Sequence, residues 1–432
     1  MDETPDESGS PDRDERARIL RRCYDAAVRA VQPQAALGSA LQSLQPTNLA
    51  CWIIAVGKAA GGMAKVLTDW LETTGRQPAG GIVVAAEPAA PPHPALRSVA
   101  GDHPIAGARS AAAAQAIADV IERIPERAEV HVAISGGTTA LIAGPLPLLT
   151  AEDVSATFKA LLSSGLDIRE MNAIRKRVTR WSAGRLAAAL AGRTLHVWVI
   201  SDVPGNDLGS IGSGPCTGDP WTAAKVREMV DANDITRQLP ASVVAALSRE
   251  TPKPDDPALR SVIPRIVADN GMAINAALAE ARDKGLAATG FDQALTGEAA
   301  AMGATIAGAM LARTGPRELL VWGGETTVTI HGAGGKGGRS QELALSAARL
   351  LDKSAAPGML LAAGTDGRDG PTDAAGAFAD RRTWRRIASS GRDSAADLAA
   401  HESYAALDAA GALLRTGPTG TNVSDLALAI TR

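Results

Sequence analysis

The sequence predicts an α/β protein of two domains, with largely parallel sheets in doubly wound layers. Two observations carry this reading. Short apolar runs alternate with longer segments of helical periodicity from residue 51 onward, and this alternation builds parallel strands with crossover helices. One stretch, ETPKPDDP at residues 250 to 257, has the proline and charge content of a linker and divides the chain. No internal period repeats, which excludes a solenoid.

Composition narrows the function classes. The 432 residues are 45% hydrophobic, enough for two or three ordinary cores. The 44 basic and 47 acidic residues nearly balance, so no basic field marks a nucleic-acid partner. Three cysteines, Cys23, Cys51 and Cys216, show no CxxC or Cys/His ligand spacing, which argues against a disulfide scaffold or structural zinc. A reducing cytoplasm is the expected compartment. The acidic, polar start MDETPDESGSPDRDE reads as a disordered tail over residues 1–16 rather than a secretory signal. No apolar run reaches membrane-spanning length.

Taken in order, a helix is expected from near Asp14 to before Pro33, because ERARILRRCYDAAVRAV carries apolar residues at helical spacing. Strand CWIIAV, 51–56, runs into the helical GKAAGGMAKVLTDWLETTG. Strand GGIVVAA, 80–86, is followed by a Pro-rich loop and an Ala-rich helix ending at IERI. Strand EVHVAI, 129–134, ends in SGGTTALI. Thr150 and Asp153 are spaced as a capping box opening a mostly helical segment. Strand TLHVWVI, 194–200, opens onto the long loop SDVPGNDLGSIGSGPCTGDP, and loops of that length are usually functional or disordered. Beyond residue 257, SVIPRIVAD, NGMAINAALAEARDKG, LAATG and GEAAAMGATIAGAMLART read as strand, helix, strand and helix. The stretch from Gly323 to Asp373 then reads as strand, Gly-rich loop, helix, strand and acid-rich loop.

That last stretch is the most informative. Lys336 and Arg339 stand in a loop of glycines just before a helix, where unpaired N–H groups and the dipole disfavour cations. The arrangement becomes sensible if a phosphate occupies the gap. Asp366, Asp369 and Asp373 follow the next strand and suggest a divalent cation or a base for a hydroxyl. Lys58 is another cation at a helix start, with Gly57, Gly61 and Gly62 leaving room for a ligand. Ser135, Gly136, Gly137, Thr138 and Thr139 offer N–H groups and hydroxyls to phosphate oxygens, or form a plain tight turn. Asp202 follows a strand where ligands bind in open α/β sheets, or serves as a turn aspartate. GAGGKG, 332–337, matches G-x-G-x-x-G, but Lys336 inside it and Arg339 after it are foreign to a dinucleotide fingerprint. No G-x-x-x-x-G-K-[ST] is present, so a P-loop is not expected. The Arg175-Lys176-Arg177 cluster is either a solvated helix face or functional, and His103 reads as a loop histidine.

Together, VGKAAGGMA, GDHPIAG, SGGTTALI, NAIRKRVTRWSAGRLA, SDVPGNDLGSIGSGPCTGDP, GGETTV, GGKGGRSQELAL, AAGTDGRDGPTDAAGA and TGPTGTNVSDL resemble, in that order, the motifs of the D-glycerate 2-kinases. Members were long labelled hydroxypyruvate reductases. The resemblance implies a Rossmann-like N-terminal domain, residues 17–257, and a smaller α/β C-terminal domain of the MOFRL type, residues 258–432. It implies ATP-dependent phosphorylation of D-glycerate at its 2-hydroxyl with Mg²⁺, and it maps catalysis to Lys58 and Arg339, one contributed by each wall of a two-domain cleft. Ser135, Gly136, Gly137 and Thr138 would hold nucleotide phosphates together with Lys336, Gly337 and Gly338. Asp202 and Asp366 would hold Mg²⁺ or accept the hydroxyl proton, with Glu325 and Asp373 as further binding residues. HPIAG and Asn206 depart from the usual HP-x-PD and SDVPGD. Partners are expected to be glycerate and ATP, without nucleic acid or membrane, in a homodimer. Two rivals are an NAD(P)-dependent hydroxypyruvate reductase and a non-catalytic nucleotide-binding module.

Overall fold

The computed structural model describes residues 11–431, apart from 88, 261, 331, 333 and 356. The chain forms two compact units, one from Pro33 to Ala268 and the other from Met1–Gln32 together with Asp269–Arg432. No described helix is long and apolar enough to cross a membrane.

The Pro33–Ala268 unit is built on a six-stranded sheet of β1 (Ala50–Val56), β2 (Pro78–Ala85), β3 (Leu96–Ala100), β4 (Ala128–Ile134), β5 (Thr194–Ile200) and β6 (Pro264–Ala268). Every neighbouring pair is parallel, in the order β3-β2-β1-β4-β5-β6. Strand progression therefore reverses between β1 and β4, and in open sheets of this kind that reversal opens a crevice beyond the strands' carboxyl ends. The apolar runs read from sequence are the strands observed, because in a parallel sheet covered on both faces nearly every side chain is buried. The short β3, inside the Pro-rich segment, was not expected. A second core lies among helices Ala151–Leu162, Ile168–Arg175 and Ala223–Ala232. The Thr150–Asp153 capping box opens the first of them, each side chain bonding the other residue's N–H.

The linker expected at 250–257 is instead packed into this unit. Thr251 Oγ1 donates to the buried Asp219 at 3.0 Å, Lys253 Nζ donates to the Trp221 carbonyl at 2.6 Å, and Asp219 N donates to the Pro252 carbonyl at 2.8 Å. The polar residues that suggested a linker are satisfied locally, and the chain continues through β6 before it leaves the unit. The same Asp219 explains the Arg175-Lys176-Arg177 cluster. Lys176 and Arg177 are buried against it at 3.3 and 3.1 Å, so this is a structural ion pair rather than a solvated face.

At the amino ends of β1, β4 and β5 lies a buried polar cluster. Glu129 accepts from Arg76 Nη2 at 2.6 Å, Thr47 Oγ1 at 2.7 Å and His131 Nε2 at 3.1 Å, with His196 Nε2 at 3.3 Å. Trp198 Nε1 donates to His131 Nδ1 at 3.0 Å, which fixes the proton on Nε2. Cys51, Glu129 and His131 are close enough together to share a metal. The fixed tautomer and the Arg76 contact already use the ring nitrogens and the carboxylate, so the group reads as a hydrogen-bond cluster.

The other unit has β7 (Ala287–Leu295), β8 (Glu318–Gly324), β9 (Met359–Gly364), β10 (Gly376–Asp380), β11 (Leu413–Leu414) and β12 (Asp425–Ile430), in the order β11-β10-β9-β12-β8-β7. Only β7 and β8 are parallel. The expectation of a largely parallel sheet fails here because β12 inserts antiparallel between β8 and β9, the two strands joined by the helix Arg339–Leu351. β8 is Glu318–Gly324, so the strand read as opening at Gly323 in fact ends at Gly324. At Gly324 φ is 134°, the Glu325 N–H bonds the Leu295 carbonyl, and the chain leaves the sheet.

The helix Pro11–Ala30 belongs with this unit and not with the segment that follows it. Its buried face, including Leu20, Cys23 and Tyr24, packs on the helix Asn270–Asp283 and on β9 and β12. Tyr24 Oη donates to the Gly364 carbonyl at 2.7 Å. Residues 11–16, expected in the tail, are the first turns of this helix, favoured by Pro11 at its start and by Asp12 and Asp14 near the dipole's positive end. The remainder of that tail, 1–10, lies outside the described residues.

Acid should weaken the first unit through the Glu129 cluster. Burial holds His131 below its ordinary 6.5, so the unfolded chain takes up that proton first and stability is lost as pH falls below about 6.5. Burial works against the Glu129 charge, but its donors, His131 foremost, hold the carboxyl below its ordinary 4.5, and that contribution is lost at still lower pH. Thermal unfolding from pH 8 to 5 should show a falling midpoint below about pH 6.5, with a smaller fall in His131→Gln. A flat wild-type profile would contradict this.

Candidate active site

In the Pro33–Ala268 unit, three expected site segments lie at the carboxyl ends of adjacent strands: Lys58 after β1, Ser135–Thr138 after β4 and Asp202 after β5. The first two flank the point where strand order reverses. Their geometry is fixed by a close backbone approach. At Gly57 φ is 123°, and a Cβ there would overlap Ser135. Ser135 N donates to the Val56 carbonyl at 3.0 Å, Ala59 N donates to Ser135 Oγ at 3.0 Å, and Lys58 N donates to the Gly136 carbonyl at 2.9 Å. Thr138 Oγ1 is committed to the Val56 and Ser135 carbonyls. The buried hydroxyls of Ser135 and Thr138 therefore knit the two turns together, while the Lys58 residue is exposed. His103 stands over the turn, its ring about 3 Å from where a Gly137 Cβ would be.

In the other unit, Arg339 begins the helix Arg339–Leu351. It is bidentate on Asp425, Nε to Oδ2 at 2.5 Å and Nη2 to Oδ1 at 3.1 Å, and Nη1 donates to Glu325 Oε1. Burial opposes the guanidinium charge, but Asp425 and Glu325 outweigh burial and raise its pKa. Three of its five N–H groups are committed to these carboxylates, which orient the fork and leave two donors for an incoming oxyanion.

The phosphate expected at this helix start meets a competitor. Asp369 is buried, and its carboxylate accepts from Ser340 N at 3.1 Å and Gln341 N at 2.7 Å, capping the helix from a distant loop. A Cβ at residue 338 would overlap that carboxyl, so Gly338 serves the cap. Burial, then the nearby Asp425, push Asp369 up to about 7. Asp369, grouped from sequence with Asp366 and Asp373 for a cation or a base, is instead used by the helix start, and Asp425 is the carboxylate that motif reasoning did not assign. The signal for Asp425 was a single acid heading the apolar run DLALAI.

Asp366 joins the Arg339 group through Gly364. Asp366 Oδ1 and Asp425 Oδ1 lie 3.2 and 3.3 Å from the space that a Cβ at 364 would fill. Lys336 and Asp373 fall in a different set of contacts. Lys336 Nζ lies 4.4 Å from the centre of the Tyr404 ring, and Asp373 accepts from Tyr404 Oη at 2.7 Å and Arg415 Nε at 3.1 Å. Neither belongs to the Arg339 group. The Gly-rich loop itself packs on the turn at 400–404: Gly335 N donates to the Ala400 carbonyl, Tyr404 N donates to the Lys336 carbonyl, and a Cβ at 337 would overlap Ser403.

A family described as a domain of unknown function, DUF4147, matches residues 19–248, and the MOFRL family matches 318–425. A glycerate 2-kinase of Pyrococcus horikoshii is 36% identical over 392 residues, 88% of this chain and 87% of that protein. This chain belongs to the glycerate 2-kinase family. A crystal structure of a glycerate kinase from Thermotoga maritima superposes with a TM-score of 0.87 at 32% identity, covering 97% of this chain and all of that one. An Agrobacterium vitis relative, 36% identical over 94% of this chain and 93% of that one, carries a hydroxypyruvate reductase name.

If Asp369 is the cap, Asp369→Ala should cost about 1–2 kcal/mol in urea unfolding, while Asp369→Asn, which keeps one acceptor, should cost less. A loss below about 0.5 kcal/mol for the alanine variant would show that the helix start does not depend on this carboxylate.

Proposed function

We propose that this chain transfers the γ-phosphoryl group of ATP to the 2-hydroxyl of D-glycerate. The observation that carries the reading is the match to glycerate 2-kinases over nearly the whole chain, together with an arginine oriented by two carboxylates in the motif that the family resemblance assigns to catalysis. Phosphoryl transfer asks for positioning and charge neutralisation rather than covalent catalysis, and preoriented cations supply both. Lys58 and Arg339 would act in the same transfer, one on the transferring phosphoryl group and one on the glycerate carboxylate. The N–H groups of the Ser135–Thr138 turn suit nucleotide phosphate oxygens.

Mg²⁺ fits the residues present. Around Arg339, one guanidinium faces the carboxylates of Asp425 and Glu325, with Asp366 converging on Gly364, an excess of negative charge made of hard oxygen donors. Asp366 and Asp425 would hold the ion, which would supply charge neutralisation to the nucleotide phosphates. Asp202, on the other unit, remains a candidate for accepting the hydroxyl proton. A hydride-transfer reading finds less support, because a nicotinamide site calls for an uncharged Gly-rich turn on the phosphates, whereas GAGGKG carries Lys336 and packs on residues 400–404.

Turnover in an ADP-release assay with glycerate should require both ATP and Mg²⁺ and stop on adding EDTA. Phosphorus NMR should identify 2-phosphoglycerate, so a 3-phosphoglycerate signal overturns the regiochemistry and NADH oxidation with hydroxypyruvate in the absence of ATP overturns the kinase. Lys58→Ala and Arg339→Ala should each lower kcat by about 10²-fold or more. Near wild-type kcat in either variant would remove that residue from the mechanism.

A further inference from the structure

The residue that precedes Asp425 has an unusual backbone. At Ser424 φ is 69°, a left-handed conformation that a residue with a side chain keeps only where its surroundings hold it there. Two side chains from distant segments supply that hold. Thr365, fully buried just after β9, uses its hydroxyl twice: Oγ1 accepts from Val423 N at 2.9 Å and donates to the Ser424 carbonyl at 2.7 Å. The same carbonyl accepts from Thr365 N at 3.1 Å. Asn270, at the start of the helix Asn270–Asp283, donates from Nδ2 to the Val423 carbonyl at 2.8 Å and to the Asp425 carbonyl at 3.1 Å, one on each side of the turn. With two carbonyls in front of it, the amide must present its nitrogen there. A Cβ at residue 323 would overlap Asn270 Oδ1, so Gly323 in β8 leaves the room this side chain occupies.

What the clamp serves is the next residue. Directly opposite Asp425 in the sheet stand Gly324 of β8 and Gly364 of β9. Neither has a side chain that could steer the Asp425 carboxylate, so its direction follows from the backbone that enters β12. That backbone is the Ser424 turn, and both carboxylate oxygens must meet the Arg339 fork together. We infer that Asn270 and Thr365 are positioning residues, which hold the left-handed turn at Ser424 and thereby aim Asp425 at Arg339. The inference rests on the part assigned to Arg339 in the proposed transfer. Its effect on rate can be large, because misplacing an oriented group by about 1 Å can cost up to about 10²-fold.

In the full chain, Asn270→Ala should lower kcat with glycerate and ATP by about tenfold or more per folded molecule, with both KM values within about threefold of wild type. In an Asp425→Asn background the same change should lower kcat by less than about twofold, because the carboxylate to be aimed is gone. Thr365→Val, which keeps the shape and loses the hydroxyl, should behave like Asn270→Ala, and Thr365→Ser should lose less. Crystals of Asn270→Ala should show the two-bond pair between Arg339 and Asp425 broken. An intact pair, equal losses of kcat in both backgrounds, or a loss confined to stability would overturn the inference. An inactive wild-type chain would refute the kinase reading instead, and the crystals would still decide whether the clamp aims Asp425.

Discussion

The contact on which the Arg339 group depends is the bidentate pair between Arg339 and Asp425. Asp425 is buried at the head of β12, where an unpaired carboxylate would be severely penalised, and Arg339 supplies the compensating charge with two parallel hydrogen bonds. β12 is a central strand, hydrogen-bonded to β8 on one side and β9 on the other, so Asp425 is held by the sheet itself. The sheet fixes the carboxylate, the carboxylate fixes the guanidinium, and Glu325 from the loop after β8 completes the fork. A long flexible side chain acquires in this way the definition of a backbone group.

The two units achieve rigidity by different means. In the Pro33–Ala268 unit the turns after β1 and β4 interlock through backbone and buried hydroxyls, made possible by the absence of a side chain at Gly57. In the other unit it comes from charge: Asp369 caps the helix on which Arg339 stands, while Asp425 and Glu325 hold the side chain. In this region the carboxylates outnumber the cation.

Much of this was legible in the sequence, and the failures share a cause. The parallel strands β1, β2, β4 and β5 were recovered because local apolar runs suffice to specify them. The antiparallel sheet was not, because its order depends on DLALAI inserting between two strands that are about 60 residues or more upstream, a pairing that no local pattern reveals. Lys336 and Arg339 looked alike in sequence, as cations near a helix start. The structure separates them: Lys336 stacks on Tyr404, and Arg339 turns into a carboxylate group whose other members come from three different loops and strands. The linker at 250–257 misled because proline and charge mark exposure only when no distant partner such as Asp219 is waiting.

The division of the chain has a temporal consequence. One unit is contiguous from Pro33 to Ala268, whereas the other combines the helix Pro11–Ala30 with strands that follow the inserted unit, its central β12 among them. During vectorial synthesis the inserted unit can complete its sheet while the flanking helix waits with its apolar face, Leu20, Tyr24 and Val28, uncovered. The order of emergence from the ribosome thus leaves that face to be covered only once the helix Asn270–Asp283, β9 and β12 have been made.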